Sequence, residues 1–454
     1  MIHGAPLTAQ ISEFVYSLDP DRIPRQIRDV ASLCLLDWLG CAMAGAQTPT
    51  VAMMRSVLGR PQSANVTPLA VVALQHGRMD MADAVLLDGI AGHVLDYDDS
   101  ARSMHVTAPI APALLALTTK RRVSGSDLIA ALVAGAETEL ELDRSLSPHL
   151  DRGGWHVTST LGTFGAAVAC GRLLDLPQSR FPSLLGLAGV QAAGLMWAFG
   201  SDAKAFQVGK SASNGLLAAM GAAHGLRTGP DVLEQARGFA QTHCRRDIHL
   251  EPPPLFDGYS LGDVLFKFHA SCHGTHAVIE GLVGLLRERR IHADDVRHIE
   301  LSLLDPIWNI DVPTTGVEAK FSARACAAFA ILGHDTADLN LYADESLRDP
   351  RYQEMVDRIV VCSREDKSAD GWTRALIRVT RTDGSQVVSE YDVTSQHQLS
   401  HDSLRDGVVS KFLRLADPIV GPARAREIKE YFLALPESGD DFSLLQVFPS
   451  SGFG

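Results

Sequence analysis

The chain has 454 residues, 46% of them hydrophobic and 21% charged, with a formal net charge of −13 at pH 7. That length and apolar fraction imply a soluble globular protein with a large core, long enough for two domains, and the negative balance argues against nucleic acid as a partner. Seven cysteines, at positions 34, 41, 170, 244, 272, 326 and 362, form no CxxC pair, and nothing reads as a signal peptide; neither a disulfide framework nor a metal or iron–sulfur centre is expected, and a cytoplasmic location fits.

Through residue 266 the pattern is almost continuously helical. "IPRQIRDVASLCLLDWLGCAMAG" repeats Ile27, Val30, Cys34, Trp38 and Cys41 at helical spacing and ends in glycine, as helix C-termini do. The apolar run Ala84, Val85, Leu86, Leu87, Ile90, Ala91, Val94, Leu95 predicts a second helix. It runs directly into "DYDDS", carboxylates that oppose the macrodipole at a helix end. If that helix continues to Ser100, then Asp96, Asp99 and Ser100 share one face, and neighbouring carboxylates there raise one another's pKa.

"SDLIAALVAGAETELELD" and "STLGTFGAAVACGRLLDL" continue the helical pattern in an Ala/Gly-rich style that lets helices approach closely. The stretch 184–200, "LLGLAGVQAAGLMWAFG", predicts a buried helix, too short and too small in side chain to span a membrane.

From residue 267 to 399 the grammar changes to a smaller α+β domain. "VRHIELSLLD" alternates Ile299, Leu301 and Leu303, "DRIVVCS" reads as a strand, and "RALIRVTRTDGSQVVSEYDV" places Asp383-Gly384 between two alternating runs, a β-hairpin signature. Helical pattern resumes near 403, so that 400–454 returns to complete the helical domain 1–266. The fold class is mainly α with a smaller α+β lid.

Four clusters carry possible chemistry: "LDYDDSARSMHVTAP", where Pro109 and Pro112 would stiffen the exit of a loop delivering His105; "GGWHVTSTLGTFG" around His156; "FGSDAKAFQVGKSASNG" with Lys204 and Lys210; and "FKFHASCHGTHAVIEGL" with Lys267, His269, Cys272, His273 and His276. The bland readings are a solvated helix end, a satisfied core histidine and two solvated lysines. Metal binding at the last cluster lacks the spacing of a zinc finger, HExxH or facial triad, so acid/base or oxyanion contact in a cleft between domains is the better reading.

In order along the chain, "GHVLDYDDS", "GWHVTSTLGTFGAA", "KAFQVGKSASNG", "FKFHASCHGTHAVIEGL" and "EAKFSARACAA" resemble the landmark motifs of the MmgE/PrpD family. The resemblance implies a large helical domain plus an α+β lid, a homodimer, and a cofactor-free enzyme acting on a small di- or tricarboxylate. It is expected to be a lyase of the 2-methylcitrate dehydratase type, with cis-aconitate decarboxylation or iminodisuccinate epimerisation as alternatives. A non-catalytic polycarboxylate-binding protein is the alternative of another class.

By the same resemblance Asp96, His105, Lys204, Lys267 and Cys272 fall on catalytic positions, and Ser100, His156 and Lys320 on substrate-binding ones; Lys210, amid glycines and small residues beside Lys204, is read as substrate-binding from its place in a possible anion cradle. His105-Val106-Thr107 replaces the usual His-Pro-Ser, Gln207 stands where His is common, and Ala325 where several members carry tyrosine. No metal, nucleic acid or membrane partner is expected.

Overall fold

A computed structural model describes residues 6–59, 67–68, 78–102, 104–150, 153–244, 258–288, 290–304, 310–364, 371–439 and 441–448. Ten helices occupy the described part of the first 244 residues: α1 (Leu7–Ser17), α2 (Arg25–Gly45), α3 (Pro49–Leu58), α4 (Met81–His93), α5 (Thr107–Thr118), α6 (Gly125–Leu150), α7 (Val157–Leu173), α8 (Phe181–Gly189), α9 (Asp202–Ala223) and α10 (Phe239–Cys244). Short strands β1 (Thr67–Pro68) and β2 (Arg78–Met79) pair with each other, and β3 (Val123–Ser124) pairs near the C-terminus with residues 441–442.

The helical packing turns on glycine. α4 lies between α2 and α9, and both contacts are backbone against backbone. A Cβ on Gly45 of α2 would stand 1.9 Å from the Ala91 carbonyl of α4, and one on Gly89 of α4 would stand 2.6 Å from the Cα of Gly209 in α9. Small residues therefore set the spacing, which is what the Ala/Gly-rich style of the sequence implies. The consequence is functional: the last turn of α4 and the first turn of α9 are held side by side.

The second layer contains α11 (His276–Arg287), α12 (Gly316–Ala319), α13 (Ala323–Ile331) and α14 (Pro350–Val356) with a mixed sheet of β4 (Val296–Leu304), β5 (Ile359–Arg364), β6 (Arg374–Arg381) and β7 (Gln386–Asp392), in the order β5-β4-β6-β7. β4 runs parallel to β5 and antiparallel to β6. Ile299, Leu301 and Leu303 are buried, as their alternation predicts. β6 and β7 form the expected hairpin, with Gly384 at φ 86° in its turn and Asp383 accepting from the Ser385 amide at 2.8 Å. α15 (His401–Val420) and α16 (Pro422–Leu433) then pack back onto α2.

Three expectations need correction. α4 ends at His93 instead of continuing to Ser100, and Asp96 sits in the left-handed region at φ 50°, so Asp96, Asp99 and Ser100 share no helical face. Pro109 and Pro112 lie inside α5, not at a loop exit. The stretch 184–200 is not one buried helix: α8 stops at Gly189, and Val190, Leu195 and Trp197 are 78%, 53% and 86% exposed. Gly194, at φ 148°, turns the chain there, and a Cβ on it would collide with Ser159 Oγ at 1.7 Å. Among the described residues no single helix is long and apolar enough to cross a membrane.

Replacing Gly89 by Ala forces α4 and α9 apart. The expected outcome is a loss of about 1–3 kcal/mol, the range for overpacking, seen as a lower urea midpoint; an unchanged midpoint would mean that the helix crossing yields freely.

Candidate active site

The site is built around the turn that follows α4. Three successive carbonyls there each receive a buried ammonium group from a distant part of the chain. Lys320 donates to the Leu95 carbonyl at 2.7 Å and to Ala270 at 3.1 Å, Lys267 to Asp96 at 2.9 Å, and Lys411 of α15 to Tyr97 at 2.5 Å. Lys411 is also paired with buried Asp37 of α2 at 2.7 Å. Cations are favoured where helix carbonyls run out, and here they reverse the unfavourable setting that carboxylates meet at a helix end.

Asp96 is the hub. Its Oδ1 accepts from Lys204 at 2.7 Å, and its Oδ2 lies 3.3 Å from Lys267 Nζ. Burial alone would raise its pKa, but the two ammonium groups and the nearby histidines outweigh that and hold it well below the usual carboxylate range. Asp98 is held low in the same manner by His105 and His93.

His93, the last residue of α4, links the two carboxylates. Lys204 donates to its Nε2 at 2.7 Å, so its proton resides on Nδ1, which faces Asp98 at 2.9 Å. His105 stands edge-on to it, ring centroids 4.5 Å apart, with Nδ1 3.0 Å from Asp98 Oδ2 and Nε2 3.5 Å from Asp96 Oδ1. The Nδ1 contact is close without being aligned as a hydrogen bond. Burial, then Lys267 and Lys204, push His105 down to about 3 despite the pull of Asp98. In this structure His105 is neutral at neutral pH.

His93, Asp98 and His105 bring ligand atoms within 4.8 Å of one another, a group able to hold a metal ion. The proton on His93 Nδ1 already faces Asp98, and Lys204 against His93 Nε2 would repel a cation. The donor set fits proton sharing better than metal binding.

His156, at the start of α7, has its tautomer set from outside. The Leu195 amide donates to Gln207 Oε1 at 2.9 Å, which turns the Gln207 NH2 toward His156 Nδ1 at 2.7 Å. His156 therefore carries its proton on Nε2. Lys204 also lies 5.4 Å from the Phe199 ring centroid and 5.6 Å from that of Phe321, contacts that favour a cation.

The sequence-predicted residues separate into groups. Asp96, His105, Lys204, Lys267 and Lys320 are brought together directly. Cys272 follows in the same segment, its amide donating to Lys320 O at 2.9 Å. Burial and then Asp96 push its thiol up to about 11, so it stays protonated and is no nucleophile. Ser100 faces His273, with Oγ 2.5 Å from Nδ1. Lys210 is exposed on α9 while Lys204 is buried, and it takes no part in these contacts.

Asp99 turns the other way, accepting from the amide (3.1 Å) and hydroxyl of Thr107 at the start of α5. Sequence reasoning missed His93, Lys411 and Asp37. The signal for His93 was its place one helical turn before Asp96; nothing local marked Lys411, which lies 314 residues from its acceptor.

Models of the MmgE/PrpD N-terminal domain and the MmgE/PrpD C-terminal domain match residues 9–251 and 269–437. A cis-aconitate decarboxylase of Aspergillus terreus is 24% identical, across 97% of this chain and 95% of its own. A cis-aconitate decarboxylase-like protein of Aspergillus oryzae is 26% identical over 97% of both chains, and the human cis-aconitate decarboxylase 25% identical over 71% of this chain and 70% of its own.

Burial, with Asp37 beside it, raises Asp99 from 3.8 to about 7. Between those values the unfolded chain has released this proton while the folded chain keeps it, so its contribution to stability falls as pH rises from 4 to 7. Asp99→Asn removes that slope and keeps the acceptor for Thr107. Its Tm relative to wild type should climb from pH 4 to pH 7; a constant difference would show that Asp99 titrates alike in both states.

Proposed function

The chain belongs to the MmgE/PrpD family, and on that premise we propose that it is a cofactor-free carboxy-lyase releasing CO2 from a small unsaturated tricarboxylate of the cis-aconitate kind. The observation that carries this reading is the protonation pattern of the site. Asp96 and Asp98, the two carboxylates facing His105, are held as anions by ammonium and imidazole groups, and His105 is a very weak base. Such a resting set is poor at removing a proton from carbon, which elimination of water requires, and it gains a proton to give only when substrate binding lets His105 take one up.

Binding would arm the acid. Lys267 and Lys204 are the charges that hold His105 down after burial; substrate carboxylates on those lysines neutralise them, and the His105 pKa rises. Breaking the carbon–carbon bond leaves an electron pair on the skeleton, delocalised toward a remaining carboxylate whose developing charge the preorganised lysines meet. His105 then supplies the proton, and Asp98 takes up the imidazole's charge balance. Cys272, kept as a thiol, is a second donor on the same side of the turn. The relatives named cis-aconitate decarboxylase support this over the dehydratase expectation.

The family's homodimer is also proposed; the exposed apolar side chains Val190, Leu195, Trp197 and Phe206 around the Leu195–Gln207 contact support it.

Separate incubation with cis-aconitate, 2-methylcitrate, citrate and iminodisuccinate in deuterated water, followed by NMR, tests the reaction. CO2 release from cis-aconitate with one solvent deuteron in the product is expected, unaffected by exhaustive chelation. Alkene formation from 2-methylcitrate without CO2 would instead establish the hydro-lyase. His105→Ala should lower kcat at least about a hundredfold. Lys204→Ala should lower both kcat and Tm, because it strands Asp96 and His93 as well as removing a substrate cation; a normal Tm would mean that the pair with Asp96 adds nothing to stability.

A further inference from the structure

A surface cleft of about 120 Å³ borders the candidate site at His273, lined by Phe268, His273, His276, Glu280, Tyr391, Val393, Ser395, Gln396 and Leu399. Of these, His273 reaches a site residue through its side chain, with its Nδ1 2.5 Å from Ser100 Oγ. The opposite ring nitrogen, Nε2, is buried and has no hydrogen-bond partner among the described residues. A buried ring nitrogen without a partner costs free energy that a structural histidine normally avoids. Its chain neighbours show the contrast: His269 is bonded at both nitrogens, to Thr336 Oγ1 at 2.7 Å and Glu280 Oε1 at 3.1 Å, and His276 faces the Ser271 carbonyl at 3.3 Å.

The geometry points to His273 as a relay that carries protons from water in this cleft through Ser100 into the site. The inference rests on the carboxy-lyase reading, because loss of CO2 consumes one proton per turnover, whereas elimination of water consumes none. The proton balance is complete without any co-reactant. Cleft water gives a proton to the Nε2 lone pair of His273, the Nδ1–H passes to Ser100 Oγ, and the Ser100 hydroxyl proton moves on to the group that has just protonated the carbon. His273 then returns to its starting tautomer by ring rotation or by exchange with the cleft.

The ring is held neutral between turnovers. Burial is the leading cause, followed by Lys267 and His105 on the site side and by His269 in its own segment, against the opposite pull of Asp96. On the cleft side it faces His276, with ring centroids 4.6 Å apart, Trp372 at 5.4 Å, and the Glu280 carboxylate of α11 lining the same space. Ser100 is itself fixed for the purpose, its amide donating to Leu265 O at 3.0 Å and its carbonyl accepting from Leu265 N at 2.8 Å. His273 would act through Ser100 and is a positioning residue for protons, not a group that touches substrate.

His273→Asn retains a hydrogen bond to Ser100 but cannot pass a proton through a ring. It is expected to lower kcat for CO2 release about ten- to a hundredfold, at or just below the range for losing a proton-transfer group, with KM unchanged and a larger solvent deuterium isotope effect. Added imidazole, small enough for the cleft, should restore much of the rate. Ser395→Phe, which narrows the cleft without altering any site residue, should lower kcat in the same direction and serves if His273 variants fail to fold by circular dichroism. A wild-type enzyme that forms product without releasing CO2 removes the carboxy-lyase reading and the relay with it. CO2 release by wild type with normal kcat in folded His273→Asn, or in Ser395→Phe should the histidine variants not fold, removes the relay alone, as does a slow His273→Asn that imidazole leaves slow.

Discussion

Three ammonium groups on three consecutive carbonyls fix the turn at residues 95–97, and most of the molecule is arranged to deliver them. Lys267 comes from the strip that joins the helical part to the α+β layer, Lys320 from the end of α12, and Lys411 from the returning helix α15. Burying each charge costs several kcal/mol before compensation. The compensation is collective: carbonyl dipoles at the end of α4, the carboxylates of Asp96 and Asp37, and the ring faces of Tyr342 and Tyr97, 4.9 and 4.1 Å from the Lys320 and Lys411 ammoniums. Leu95 and Tyr97 belong to the apolar core of the second layer although they follow a helix of the first. The turn is thus where the two layers are joined, and the site exists only when both are folded.

That arrangement is what would let a chain of net charge −13 hold the proposed polyanion. Lys204 and Lys267 share the single carboxylate of Asp96, Lys411 pairs with Asp37, and Lys320 is held by carbonyls, so the long-range repulsion of the surface gives way to a local surplus of positive charge. Burial first, and then Lys204, joined at His105 by Lys267, keep His93, His105 and His156 neutral. Neutral imidazoles and anionic carboxylates side by side form a proton network whose state responds to whatever anion binds, because each added negative charge relieves the histidines of part of their electrostatic penalty.

The layers and most of the site were legible in sequence for different physical reasons. Helical period, the glycine-rich spacing of α2, α4 and α9, and the Asp383-Gly384 hairpin are local signals and could be read directly. The site residues were legible through ordered motifs, since each motif sits on one element facing the turn. What escaped was long-range or depended on how an element ends. Asp96 leaves the helix because the left-handed conformation at φ 50°, which aspartate tolerates better than most residues, lets its carboxylate turn back between Lys204 and Lys267. Periodicity alone carries the helix on to Ser100. Lys411 is an ordinary helix lysine until α15 folds onto α2, and Lys210 resembles Lys204 until helical phase places one inside and the other outside.

The replacement at 207 shows how much the supporting residues do. A glutamine amide has one donor end and one acceptor end, and the Leu195 amide engages the acceptor, so only the NH2 remains for His156. A histidine at 207 would choose its own tautomer and could itself gain or lose a proton; glutamine cannot. His156 is therefore committed as an Nε2–H donor at every pH at which the fold persists, a permanent hydrogen-bond donor rather than a base. The exposed loop at 190–198 serves this purpose, since Gly194 O also receives the His156 amide at 3.0 Å. On the proposed reading the proton traffic is left to His105, whose side chain retains 12% exposure, while His93 and His156 are held by neighbours in single tautomers.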